Sequence, residues 1–141
     1  MKIYEKIAAV QGELTNPLAK TENPYYKSKY AALPDILDLI RPVLAKHGIA
    51  LIQYPETTKE EDGSLLLSIR TKLAMTVGET DEVLDCGAMS IPVTGMNAQQ
   101  VGAVITYYRR YAIKALFAIE AEDDDANVAV PEPKGGPKKP A

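Results

Sequence analysis

The chain has 141 residues, 46% of them apolar, which is enough for one hydrophobic core and too little for two full domains. A formal charge of −3 excludes a globally basic nucleic-acid binder, so any polyanion site must come from local clustering of cations. One cysteine, Cys86, and one histidine, His47, exclude an internal disulfide and fall short of a zinc ligand set.

No apolar signal segment follows Met1, and no uncharged apolar run reaches membrane-spanning length, so a soluble protein of a reducing cytosol is expected. Ile3, Ile7, Val10 and Leu14 recur at helical spacing and predict a short amphipathic helix. Residues 15–32 hold the turn signals Asn16-Pro17 and Asn23-Pro24 and predict an irregular loop rich in Tyr and Lys. A second helix is predicted from Pro34 to His47, with Leu33, Ile36, Leu37, Ile40, Val43 and Leu44 on one face and Gly48 as the stop. Pro42 inside it lacks an N–H and crowds the carbonyl of Asp38, which predicts a kink or an early end.

Ile49–Tyr54 is short and apolar between Gly48 and Pro55, which favours a strand. Residues 64–77 carry a period of two: Leu65, Leu67, Ile69, Leu73, Met75 and Val77 on one face, Ser68, Arg70, Lys72 and Thr76 on the other. A third strand is predicted over 82–93, where Asp85, Gly87 and Pro92 blur the alternation and suggest an edge or a bulge. Asn97 with Gln100 three residues on opens a long helix whose apolar stripe holds Val101, Val104, Ile105, Tyr108, Tyr111, Ala112, Ala115, Leu116 and Ile119. The expected fold class is α+β: N-terminal helices, then an antiparallel three-stranded β meander packed by a long helix. Residues 1–128 form the expected domain, and the Pro, Gly and Lys composition of 129–141 predicts a disordered tail.

Two segments combine cations with aromatic rings. At about 100° per residue the last helix turns Tyr107, Arg110 and Lys114 away from the stripe centred on Tyr108, with Arg109 flanking it. Such a face can grip phosphates and stack a nucleotide; the plainer alternative is a solvated face whose arginines pair with nearby carboxylates. Tyr25, Tyr26, Lys27, Lys29 and Tyr30 interleave rings and ammoniums on the early loop, the pattern that single-strand binding uses. Arg70 and Lys72 could extend a basic surface or simply keep a strand soluble. The run Glu120-Ala121-Glu122-Asp123-Asp124-Asp125 admits a divalent metal and hence a metal-dependent nuclease, although adjacent carboxylates more often face water or a cation. A third reading is a non-catalytic interaction module docking through the N-terminal helix. No Gly-x-x-x-x-Gly-Lys-Ser/Thr loop and no paired nucleophile and base are present, and no metal or cofactor is expected.

Three ordered blocks carry a family likeness: Asn23-Pro24-Tyr25-Tyr26-Lys27-Ser28-Lys29-Tyr30-Ala31-Ala32-Leu33, then Ile40-Arg41-Pro42-Val43-Leu44-Ala45-Lys46-His47-Gly48, then Gly102 through Tyr107-Tyr108-Arg109-Arg110-Tyr111-Ala112 to Asp123-Asp124-Asp125-Ala126-Asn127. In these the chain resembles the ERF superfamily of phage single-strand annealing proteins, with Tyr at 108 where the likeness would place Ala. The resemblance implies a Rad52-like β-β-β-α core and ATP-independent annealing of complementary strands in phage-type homologous recombination, without enzymatic catalysis. It also implies assembly into a homo-oligomeric ring or filament in the host bacterial cytoplasm. A phage or host single-strand-binding protein or exonuclease is the accompanying partner to look for. Tyr25, Tyr26, Lys27, Lys29, Arg70, Lys72, Tyr107, Arg109, Arg110 and Lys114 are the expected nucleic-acid contacts.

Overall fold

Alternating burial along residues 65–77 sets the centre of the fold, because a strand with one apolar face has to be covered on that side. The computed structural model describes residues 2–22 and 29–120. Its elements run α1 (Lys2–Glu13), β1 (Thr21–Glu22), β2 (Lys29–Tyr30), α2 (Leu33–Lys46), β3 (Ala50–Lys59), β4 (Leu65–Val77), β5 (Thr80–Pro92) and α3 (Ala98–Phe117). The three long strands form an antiparallel sheet in the order β3-β4-β5, so the fold is α+β with a β-β-β-α order at its end.

Leu67, Ile69, Thr71, Leu73 and Met75 of β4 are buried, and the helices pack on that face alone. Leu65 and Val77, expected on the same face, are exposed at the two ends of the strand. β3 runs past its expected end through Pro55 to Lys59. Pro55 sits opposite Ile69 on an edge strand, and half of an edge strand's N–H groups have no ladder partner to lose. The other edge, β5, bulges where Arg70 faces Ala88 but Lys72 faces Asp85, so Cys86 and Gly87 together oppose Thr71. Gly87 takes φ 88 there, a left-handed conformation that suits glycine, and its N–H donates to Asp85 Oδ1 at 2.9 Å.

α2 covers nearly its expected span, running through Pro42 to Lys46 without the early end that the proline allowed. Burial of Ile36 and Ile40 before the proline and Leu44 after it outweighs the single lost backbone bond. The segment expected as an irregular loop carries the short antiparallel ladder of a β1–β2 hairpin, pairing Thr21 with Tyr30 and Glu22 with Lys29, while Asn23 and Pro24 lie outside the described residues. α1 buries Ile3 and Val10, and its first turn is pinned to β5 by Glu82, whose carboxylate accepts the Lys2 and Ile3 N–H groups at 3.0 and 2.9 Å. His47, at the end of α2, lies 2.8 Å from Glu13 and so ties α2 to α1.

The core is divided. One cluster joins α1, α2, Leu73, Met75 and the C-terminal half of α3 through Ile113 and Phe117; the other joins Leu67, Ile69 and Val93 to Val104, with Val101, Ile105 and Tyr108 packed around it. Between them, at Thr71, the covered face of the sheet turns polar.

Candidate nucleic-acid interface

α3 opens with a capping box: the Asn97 side chain accepts from the Gln100 N–H at 2.9 Å, and Gln100 Oε1 accepts the Asn97 N–H at 3.0 Å. The helix places Tyr107, Arg110, Tyr111 and Lys114 three or four residues apart, the spacing at which side chains meet. The Arg110 guanidinium lies over three rings, 4.6 Å from the centroid of Tyr30 on β2, 5.3 Å from Tyr107 and 5.1 Å from Tyr111. Planar guanidinium on ring faces is a favourable cation–π arrangement, and here it ties the hairpin to the helix. Arg110 Nε is buried with no hydrogen-bond partner. Neither Arg109 nor Arg110 has an acidic partner among the described residues.

The two phenols of the cage are unequal. Tyr107 donates to the Tyr111 hydroxyl at 3.3 Å, so burial and the donated proton together raise the Tyr107 pKa. Burial opposes ionisation of Tyr111 too, but hydrogen bonds from Tyr107 and Arg110, with the charges of Arg110 and Lys114, outweigh it and leave Tyr111 below its usual value. This is a cation set among π faces, a combination suited to an anion carried beside a flat ring.

Arg109 points elsewhere. Its Nε donates to Gln53 Oε1 at 3.2 Å, while Gln53 Nε2 donates to Thr71 Oγ1 at 3.1 Å and to the Arg109 carbonyl at 3.4 Å. Arg70 and Lys72 lie on the sheet face that no helix covers. Arg70 is held by Asp85 at 2.9 Å and by Glu56 at 3.8 Å, and Lys72 stands 5.8 Å over the Tyr54 ring.

The family model of the ERF superfamily matches residues 3–140. The chain belongs to the ERF superfamily. It is also 28% identical over 145 residues to the "Essential recombination function protein" of Salmonella phage P22, covering 98% of this chain and 66% of that relative, so it spans a little under two thirds of the relative's length. No solved structure matches the chain.

Within this ERF-superfamily chain the expected contacts separate into groups. Tyr107 and Arg110 come together around Tyr30, a ring outside the expected set, with the expected Lys29 exposed beside it. Tyr25, Tyr26 and Lys27 lie outside the described residues, as do Glu122 and Asp123–Asp125 of the acidic run and the expected tail. Arg70 and Lys72 are on the opposite side of the sheet from α3 and do not extend the same surface. Lys114, expected to point outward, is 4% exposed: its Nζ bonds Glu120 Oε1 at 2.8 Å and lies 4.9 Å over Tyr111. Tyr111, expected in the core, is half-buried in the cage. Both corrections have one cause, because the apolar stripe of α3 does not continue in a single phase. It shifts after Arg109 from Val104 and Tyr108 to Ile113 and Phe117. Ile113 and Phe117 were absent from the expected stripe, although their four-residue spacing and the chain's single Phe are the signals that mark them. Gln53 was missed as well. Its signal is parity: Leu51 is inward on β3, so Gln53 is too, opposite the inward Thr71.

Among the described residues no helix is long and apolar enough to cross a membrane.

Proposed function

We propose that this chain binds single-stranded DNA and anneals complementary strands without ATP and without catalysis, as part of phage-type homologous recombination. One observation carries the reading: Arg110 sits among Tyr30, Tyr107 and Tyr111 with no carboxylate partner among the described residues, so a cation and three ring faces are collected at one place. Membership of the ERF superfamily and the recombination name of the phage P22 relative support it. Cations that bind phosphates leave base edges exposed for pairing, which annealing requires; base stacking on a ring contributes about 1 to 3 kcal/mol per base. The contacts assigned to DNA are Arg110, Arg109, Tyr107, Tyr30 and Lys29, together with Tyr25, Tyr26 and Lys27, which precede Lys29 in the sequence. Many copies in a ring or filament, in the host cytoplasm, would align one strand along repeated sites.

The test mixes complementary oligonucleotides, one end-labelled with a fluorophore and the other with a quencher, with and without the purified chain and with no nucleotide added. Faster quenching that weakens with salt supports the reading. Salt-sensitive strand binding without faster annealing removes the annealing half, and no binding at low salt removes all of it.

A further inference from the structure

A carboxamide on the covered face of a sheet is costly unless its polar atoms are satisfied. Gln53 is satisfied in a particular way: its oxygen accepts from Arg109 Nε at 3.2 Å, and its nitrogen donates to the Arg109 carbonyl at 3.4 Å and to the buried Thr71 hydroxyl at 3.1 Å. One side chain of an edge strand therefore holds both the backbone and the side chain of one residue of α3, and Thr71 on the central strand holds that side chain in turn. The contact lies in the polar gap between the two apolar clusters, at the point where the stripe of α3 changes phase. Apolar packing is non-directional and fixes a helix's rotation loosely there. Hydrogen bonds with the carbonyl and the guanidinium of the same residue fix it closely.

We infer that Gln53 is the positioning residue of the DNA-binding arginines, holding Arg109 by its Nε so that its terminal guanidinium nitrogens are presented to a strand phosphate. No protein acceptor is bonded to those nitrogens among the described residues. An Arg fixed at Nε has lost most of its side-chain freedom before a phosphate arrives, so the entropy cost of binding falls. The same clamp sets the neighbouring Arg110 toward Tyr30. This inference rests on the single-strand reading above.

The experiment is a double-mutant cycle read by fluorescence anisotropy of a labelled oligo-dT across a salt series, well below each variant's Tm. Gln53→Leu removes all three bonds and is expected to weaken binding about five- to tenfold, the size of one ordinary hydrogen bond, and to flatten the salt slope by up to about 0.7, one phosphate contact. In an Arg109→Ala background the same change is expected to cost less than about twofold, because the group it positions is gone. Thr71→Val, which removes only the anchor of Gln53, is expected to weaken binding in the same direction by a smaller factor and to lose that effect in the Arg109→Ala background. It keeps the test alive should Gln53→Leu fold poorly. A Gln53→Leu loss that persists undiminished in the Arg109→Ala background would show a general structural role and overturn the inference, as would wild-type affinity in both variants. A wild-type chain that binds no strand would overturn the single-strand reading and this inference together.

Discussion

Two surfaces of this molecule carry two cations and at least one tyrosine, and they are not equivalent. On the uncovered face of the sheet Arg70 is flanked by Glu56 and Asp85, and Lys72 stands over Tyr54. On α3 and the hairpin, among the described residues, Arg110 meets rings and Arg109 a neutral carboxamide, with no carboxylate at either. A phosphate approaching Arg70 must displace a carboxylate; one approaching Arg110 displaces none among the described residues. The number of cations in a segment therefore says little about polyanion binding, and what each cation already faces says more.

The sharpest way to break that contrast is to remove one arginine from each side. Arg110→Ala should lower affinity for a labelled oligo-dT by about tenfold or more and flatten the salt slope by about 0.7, whereas Arg70→Ala should change affinity by less than about twofold. Equal losses would mean that the carboxylates beside Arg70 do not shield it. Lys114 tests the boundary of the site. Because it is buried and bonded to Glu120, Lys114→Met should lower stability in urea titration by about 1 to 3 kcal/mol, while the salt slope of strand binding stays at its wild-type value.

Smaller effects come from titration. Ultraviolet absorbance should show one phenol ionising below the usual tyrosine range of about 10, assigned to Tyr111, and Arg110→Ala should move it upward as the stabilising bond and charge are lost. An unmoved phenol would mean that Arg110 does not reach the Tyr111 hydroxyl. At acid pH the sheet side responds instead. The Gly87 N–H, with burial opposing and the charges of Arg70 and Lys72 assisting, holds the Asp85 carboxyl below its usual value. A depressed acid stabilises the fold above its unfolded pKa of about 3.9 and loses that contribution as pH falls through the folded value. Protection of the amides around Gly87, corrected for the intrinsic exchange rate, should thus fall at that low pH, with Asp85→Asn removing the part of the dependence that Asp85 contributes while the phenols of the α3 cage stay indifferent.

How much of this was legible beforehand differs along the chain. Period-two burial in β4, the capping box at Asn97 and the disturbed strand around Gly87 are local properties, and each was visible in a short window of sequence. The span of α2 was visible too, in the apolar face on both sides of Pro42 and the stop at Gly48, but whether the proline would end it early was not, since that depends on what Ile36, Ile40 and Leu44 pack against. The cage was half visible: Tyr107 and Arg110 were assigned to DNA from helical phase, but the partner ring from Tyr30 required knowing that the hairpin lies against α3. Arg70 and Lys72 looked equivalent to the arginine pair because strand parity places them on a face without saying which acids lie across the ladder. For Gln53 parity gave the inward direction but not the role, which is shared with Thr71 and Arg109, distant in sequence.

The divided core also bears on how the protein tolerates change. Leu67, Ile69, Val93 and Val104 make one packed unit, and Leu73, Ile113 and Phe117 belong to another, with the Thr71–Gln53–Arg109 hydrogen bonds between them. Volume lost from one unit has little apolar contact through which to propagate to the other, so paired substitutions across the boundary should cost close to the sum of their separate effects. The two halves of α3 are then free to drift independently in composition, while the polar residues that join them are not.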